Sequence, residues 1–410
     1  MHINATPTGI SDPRRHNRRL ELFFCTVVVP ALLLAVLWIP LRAAGLGASA
    51  DFIQFYAAGK IVASGQGGKL YDANLQSDIQ RQVAPNVEAI LFNHPPFEAL
   101  FYVPLAHFRY PIAFAIWTSL NLSFLGLVFF LLRDYGPPFG LAERLLLLAT
   151  AFYPVLAALI QGQDSLWILL AYLVAFLVFR RGRDFPAGML LGFALIKPQL
   201  VLPFAFLVML RGRWRFMAGL VSSALILTLI STLIAGPSVV IHYPCMLLQM
   251  NDSGHAATFH LFPETMPNLR GLLTLLLGSA APPSALNLSI GILSLALLFW
   301  AGRQLAWKRA FELSFALALV ATLLVSFHLL VHDLSLLIIP AFLLLSRLNV
   351  YERKWSQSKI LRVAPLALLF TVFLVMQFFG RRDFGIAAIA PLFLVLSLSA
   401  TLRSNSVVEL

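Results

Sequence analysis

Residues 186–215 read PAGMLLGFALIKPQLVLPFAFLVMLRGRWR: two apolar runs meet at Lys197-Pro198, and the second ends in Arg211, Arg213 and Arg215. A second basic cluster, Arg180, Arg181 and Arg183, stands just upstream. The two runs therefore leave one basic edge and return to another. Each is well under the ~20 residues that a straight crossing of a bilayer needs. Half-length helices of this kind persist only when packed against protein or around a wet cavity. Lys197 is then a cation at the far end of a broken hairpin, in the interior of a membrane bundle.

The rest of the chain agrees with lipid as the solvent. Of 410 residues 59% are hydrophobic and only 12% charged, against roughly 25% charged in a soluble protein. The net charge of +12 would suit a nucleic-acid partner if it formed a stripe. It falls instead in short clusters between apolar runs, at Arg14–Arg19, Arg180–Arg183, Arg211–Arg215, Arg303–Arg309 and Arg347–Arg362. Such clusters mark the cytoplasmic rim, and no nucleic acid is expected. The cysteines, Cys25 and Cys245, support neither a disulfide framework nor a thiolate metal site.

Placing every cluster inside gives an all-α bundle of about twelve spans, near 21–41, 111–132, 142–160, 165–179, 186–196, 198–210, 216–236, 284–302, 310–330, 334–346, 360–379 and 386–402. The chain 1–410 is then a single integral inner-membrane domain with both termini cytoplasmic. The first apolar run exceeds the roughly 7–15 residues of a signal-peptide core and reads as a retained anchor. Long outer loops cover 42–110 and 237–283. The first should hold surface helices over Phe52–Ser64, with Asp51 at its N-cap, and over Ala73–Val83. Pro95–Phe108 is too short to cross and is expected as a helix lying in the outer interface.

Ionisable groups at membrane depth cost about 2.5–3.5 kcal/mol each, so their default reading is functional. Asp51, His94, Asp164, Lys197, His328, His332 and Asp333 all map to the outer ends of helices, which predicts one polar site on the extracytoplasmic face. Asp51 could take a proton from an acceptor hydroxyl as a general base, or simply cap a helix. Lys197 suits a phosphate, or could snorkel to the headgroups; Arg270 is a second phosphate candidate. His328 and His332 share a helix face, but the zinc pattern's glutamate is missing and no metal or cofactor is expected. His332 reads instead as a hydrogen-bond donor to substrate oxygens, with Asp333 capping its helix. Gln161–Asp164 forms a tight outer turn. Tyr56, Tyr71 and Trp167 could stack on a sugar, although aromatic residues are common at the interface anyway.

The ordered set Asp51-Phe52…Phe55-Tyr56…Gly59-Lys60, Leu70-Tyr71-Asp72, Pro95-Pro96-Phe97…Pro104-Leu105, Gly162-Gln163, Gly188…Gly192…Lys197-Pro198, Arg211–Trp214 and His332-Asp333…Pro340 resembles glycosyltransferase family 87 over about residues 50–345. The resemblance implies a GT-C fold with amphipathic helices in the first outer loop. It also implies inverting transfer of a hexose, typically mannose, from a polyprenyl-phosphate sugar donor to a glycolipid or glycan acceptor. Carried over by position, the catalytic aspartate falls on Asp51, the Lys-Pro junction on Lys197 and the late His-Asp motif on His332 and Asp333. Tyr56, His94, Gln163, Asp164, His328 and Asp333 are expected to contact substrate. Asp164 departs from the asparagine-like or apolar residue expected after Gly-Gln, and His94 from the aromatic common before the double proline. A secondary transporter or lipid flippase is the competing class, because broken helices with a central lysine also describe transport folds.

Overall fold

The computed structural model describes residues 26–27, 51–85, 88–135, 152–249, 262–278, 280–348, 357–378 and 384–407. Most of the expected first span and of the expected span 142–160 lies outside these residues. Among the described residues the structure is helical, with no strand. Helices α1 (Phe52–Ala63) and α2 (Ala73–Val83) open it, followed by α3 (Tyr110–Leu132), α4 (Tyr153–Gln161), α5 (Ser165–Arg180), α6 (Asp184–Leu191), α7 (Pro198–Leu210) and α8 (Trp214–Ala235). The 237–283 segment, expected as a loop, carries α9 (Pro237–Gln249) and α10 (Leu269–Leu277). Then come α11 (Pro283–Gln304), α12 (Phe311–Val325), α13 (Ile338–Arg347), α14 (Gln357–Phe378) and α15 (Ile389–Val407).

Among the described residues four helical segments are long and apolar enough to cross a membrane: Tyr110–Tyr135, Trp214–Ala235, Pro283–Gln304 and Phe384–Arg403. The shorter apolar helices, α5, α7 and α12 among them, fall below that length. At ~1.5 Å per residue α7 covers roughly 20 Å, well short of a ~30 Å hydrocarbon core. Lipid-type surfaces are visible on the long helices. Leu288, Ile292, Leu295 and Phe299 form one exposed stripe along α11, and Val221, Leu225, Leu229 and Leu233 another along α8. The opposite extreme is α12, buried on every side from Leu313 to Leu324, as expected of a central helix that is apolar all round.

Helices α6 and α8 cross at close range. A Cβ on Gly188 would run into the carbonyl oxygen of Phe216, and one on Gly219 into that of Phe185. The two glycines thus let the backbones touch, the small-residue device of membrane helices. This holds the broken hairpin against the bundle. Pro198 then forces Lys197 out of helical geometry (φ −122°, ψ 80°), as the residue before proline must be, and the chain between α6 and Lys197 tightens into a 3₁₀ turn, Gly192–Ile196.

Two expectations for the first outer loop need correction. Phe52–Ala63 is buried almost all round rather than amphipathic, packed with Tyr102, Tyr110, Phe114 and Trp117 in an aromatic core of its own. Pro95–Phe108 is not one helix. Pro95-Pro96 and Pro104 break it into 3₁₀ turns at Pro96–Glu98 and Leu105–His107 flanking a single helical turn, Ala99–Tyr102. Ala73–Val83 is helical as expected, capped by the Asp72 carboxylate, which accepts from the N–H groups of Asn74 and Leu75.

Candidate active site

Three chain breaks meet at one point: the turn between α4 and α5, the Lys197-Pro198 junction, and the 3₁₀ turn Val331–Leu337 that leads into α13. Gly162 ends α4 at φ +65°, and a Cβ there would sit 2.7 Å from that of Phe52, so the turn can press onto α1 only as glycine. Its carbonyl accepts from Trp117 Nε1 at 2.8 Å. The turn thereby aims Gln163 and Asp164 in different directions.

Gln163 reaches Asp51, its Nε2 donating to Oδ2 at 2.6 Å. Asp51 flanks α1 but makes no side-chain cap bond to it. Its carboxylate faces a cavity of about 590 Å3, also lined by Gln163, His94, Lys197, His328, His332 and Asp333.

Asp164 turns to Lys197. Lys197 Nζ lies 2.7 Å from Asp164 Oδ1 and 2.8 Å from Asp333 Oδ1, with all three side chains almost fully buried. The Asp164 contact is a charge contact without hydrogen-bond geometry, whereas Lys197 donates a hydrogen bond to Asp333. Ser165 Oγ donates to the same Asp333 oxygen at 2.7 Å, and Asp333 Oδ2 accepts from the Leu330 N–H at 3.1 Å. One ammonium therefore balances two carboxylates, leaving this trio with a formal charge of −1. Desolvated charges persist only when paired and hydrogen-bonded in this way. His332 is held from both sides: Nδ1 sits 2.9 Å from Gln161 Oε1, and Nε2 faces Lys197 Nζ at 3.5 Å. With Gln161 accepting from Nδ1–H, Nε2 presents its lone pair to the lysine.

A buried acid that the sequence reading passed over completes the cluster. Glu98, 1% exposed, places Oε2 2.7 Å from His94 Nδ1. Tyr102 donates to its other oxygen at 3.3 Å, and Asp164 Oδ2 lies 3.5 Å from the same His94 nitrogen. Burial pushes the Glu98 carboxyl up to about 7, against the pull of His94. For His94 burial opposes the charge, but Glu98 and then Asp164 outweigh it and hold the imidazole above its ordinary range. The signal for Glu98 was its spacing, four residues after His94 in an otherwise apolar PPFEALFY. The ligand atoms of His94, Glu98 and Asp164 all lie within 4.8 Å of one another. A 2.7 Å separation is that of a shared proton, while donors ~2.0–2.2 Å from one ion spread wider than this around it.

Two of the remaining candidates, Tyr56 and Arg270, sit outside the cavity lining. Tyr56 is buried in the aromatic core, its hydroxyl donating to the Phe108 carbonyl at 2.8 Å, and it does not line the cavity. Arg270 is also outside the lining; it donates to the Phe327 carbonyl at 3.1 Å and stacks over that ring. His328 lines the cavity.

A family model for glycosyltransferase family 87 matches residues 92–332, more than half of the chain. The chain belongs to glycosyltransferase family 87. Membership of family 87 makes it a membrane glycosyltransferase, acting on a sugar donor and an acceptor. The family 87 match takes in His94, Glu98, Asp164, Lys197 and His332, while Asp51 and Asp333 lie beyond its ends. No curated protein and no solved structure matches the chain.

Proposed function

We propose that the protein transfers a hexose, with mannose the first candidate, from a polyprenyl-phosphate sugar to a lipid-linked or glycan acceptor, by inverting single displacement with Asp51 as general base. The observation that carries this reading is that Asp51 shares one cavity with the Lys197-centred cluster. In the step, the acceptor hydroxyl passes its proton to Asp51 as its oxygen attacks the anomeric carbon. The bond from that carbon to the phosphate oxygen breaks, and polyprenyl phosphate leaves with the electron pair. Gln163 holds the Asp51 carboxylate in a fixed direction for that transfer. Lys197 is the cation for the departing phosphate, and His332 Nε2 orients its ammonium; Arg270, tied to Phe327 outside the cavity lining, is not placed to serve as a second.

The lipid carrier is supported by the cavity's lips. Leu202 and Phe327 line it and are more than half exposed, so an isoprenoid chain can lie against them while its phosphate reaches inward. We place the chain in the inner membrane as a GT-C bundle of about twelve spans, with both termini cytoplasmic and the cavity on the extracytoplasmic face. Family membership argues against the transporter or flippase class. Membranes containing the protein, incubated with radiolabelled polyprenyl-phosphate sugars, test the reading. Sugar transfer that Asp51→Asn abolishes is expected; full turnover by that variant removes Asp51 as base, and translocation without bond breakage removes the transferase reading.

A further inference from the structure

The trio of Lys197, Asp164 and Asp333 poses an electrostatic problem for any anionic ligand. Its lysine is already shared between two carboxylates at 2.7 and 2.8 Å, and Asp51 adds another negative charge to the same cavity. A phosphodiester entering that space needs a donor not committed to protein.

His94 is placed to be that donor. Its Nδ1 is occupied by Glu98 at 2.7 Å and approached by Asp164 at 3.5 Å. The ring is wedged between Phe55, edge-on with centroids 5.1 Å apart, and Phe92, stacked at 5.7 Å. The Tyr71 hydroxyl pins its backbone by donating to the His94 carbonyl at 2.7 Å. Its Nε2 makes no hydrogen bond among the described residues, while the residue lines the cavity. The ring is thus fixed with one nitrogen on a buried acid and the other available to ligand.

We infer that the His94–Glu98 pair is a phosphate-recognition element, in which Nε2–H of His94 binds the donor's phosphodiester and Glu98 is the positioning residue that keeps a proton on that nitrogen. The argument is one of proton counting. While the pair holds its shared proton, either His94 is an imidazolium beside a carboxylate, or a protonated Glu98 donates to a neutral ring's Nδ1. In both forms Nε2 carries a hydrogen and donates. When the shared proton leaves, the remaining ring hydrogen goes to Nδ1 to face the carboxylate, and Nε2 becomes an acceptor that repels a phosphate oxygen. One proton therefore switches the wall of the cavity from attracting to rejecting the ligand. The groups that bear on it are Glu98 and Tyr102 from the turn behind the ring, Asp164 from the head of α5, Lys197 from the junction, and His332 across the cluster. Asp164 favours the proton and Lys197 opposes it.

The inference rests on the polyprenyl-phosphate reading, and its test is a binding measurement that needs no sugar transfer. The full-length protein in detergent is titrated with farnesyl methyl phosphate, a phosphodiester that keeps a single negative charge between about pH 5.5 and about pH 8.5, the range in which a histidine pair titrates. Wild type is expected to bind about ten- to hundredfold more weakly at the alkaline end, the scale of one charge-assisted hydrogen bond. Glu98→Gln still accepts from Nδ1 but cannot hold the proton, so the fall in affinity moves to lower pH. Tyr102→Phe removes a donor to Glu98, makes the acid more basic and moves the fall to higher pH; a loss of packing would not move it in opposite directions in the two variants. His94→Gln binds weakly with no pH dependence, its melting temperature confirming that it is folded. Wild-type affinity and pH profile in His94→Gln overturn the inference, as does manganese binding that requires both His94 and Glu98. An intact binding profile without any sugar transfer counts against the transferase reading and leaves this one standing.

Discussion

Gln163 Nε2 and Asp51 Oδ2 lie 2.6 Å apart although 112 residues separate them in the chain. The bond joins the head of α1 to the turn that precedes α5, so the carboxylate proposed as base is directed by a residue whose neighbour, Asp164, holds the central lysine. Base and cation are thus fixed by adjacent residues of one turn.

Replacing Gln163 should therefore lower turnover more than it lowers affinity. Gln163→Ala removes a hydrogen bond to a charged group, about 1.5–3 kcal/mol, and kcat is expected to fall by roughly ten- to hundredfold. Gln163→Glu should fall further at neutral pH, because two carboxylates at that distance cannot both stay ionised, and should recover part of its rate as pH is lowered. Steady-state kinetics of the three proteins would decide it; an unchanged kcat in Gln163→Ala would end the orienting role.

Lys197→Met leaves Asp164 and Asp333 buried without their counter-charge. Breaking a buried pair in this way costs about 3–5 kcal/mol, so a large drop in melting temperature in detergent is expected. The triple variant Lys197→Met, Asp164→Asn, Asp333→Asn removes the charges together and should melt closer to wild type while transferring no sugar. A triple variant that melts no higher than the single one would show that the lysine's packing, not its charge, is what matters.

Thermal stability should also fall as pH rises through neutrality. Glu98 has its pKa raised from 4.5 to about 7, and His94 is raised above its ordinary 6.5. Both shifts mean that the folded state binds more protons than the unfolded one, so their stabilisation is complete below the unfolded values and is lost as pH climbs through the folded ones. Melting curves from about pH 5 to about pH 8 should show a decline that Glu98→Gln flattens; an equal slope in the variant would remove Glu98 as its source.

Gly188→Ala places a methyl group where the Phe216 carbonyl already is. Overpacking of this kind costs about 1–3 kcal/mol or more, and forcing α6 from α8 shifts the Lys197 junction. Reduced yield of folded protein and a lower melting temperature are expected, whereas Gly291→Ala, with open space around its Cβ, should behave as wild type.

The sequence made the membrane class and much of the site legible for one reason. In a chain with 12% charged residues, Asp51, Lys197 and His332 stand out against their surroundings. The broken hairpin was also readable, because Lys-Pro between two short apolar runs allows little else. Glu98 was not, since an acid inside a segment expected at the outer interface reads as a solvated charge; only the fold of the Pro95–Phe108 turns against α1 buries it. Partner choice was hidden for a similar reason. Gln163 and Asp164 are neighbours in one turn, and nothing in their order tells which of them meets Asp51 and which meets Lys197. That division is set by the left-handed Gly162 and by the aromatic core it touches.

The Lys197 cluster also carries a timetable. Asp164 and Lys197 are made within 33 residues of each other, but Asp333 follows Lys197 by 136. At ~5–20 residues per second of synthesis, the second carboxylate arrives roughly 7–27 s after the lysine. During that interval the half-built bundle holds a simple Lys–Asp pair of zero net charge, and only the arrival of the Val331–Leu337 turn gives the cluster its final formal charge of −1. The site is thus assembled last by the segment that completes it, and a chain halted before residue 333 would present a phosphate with an ammonium shared by one fewer rival.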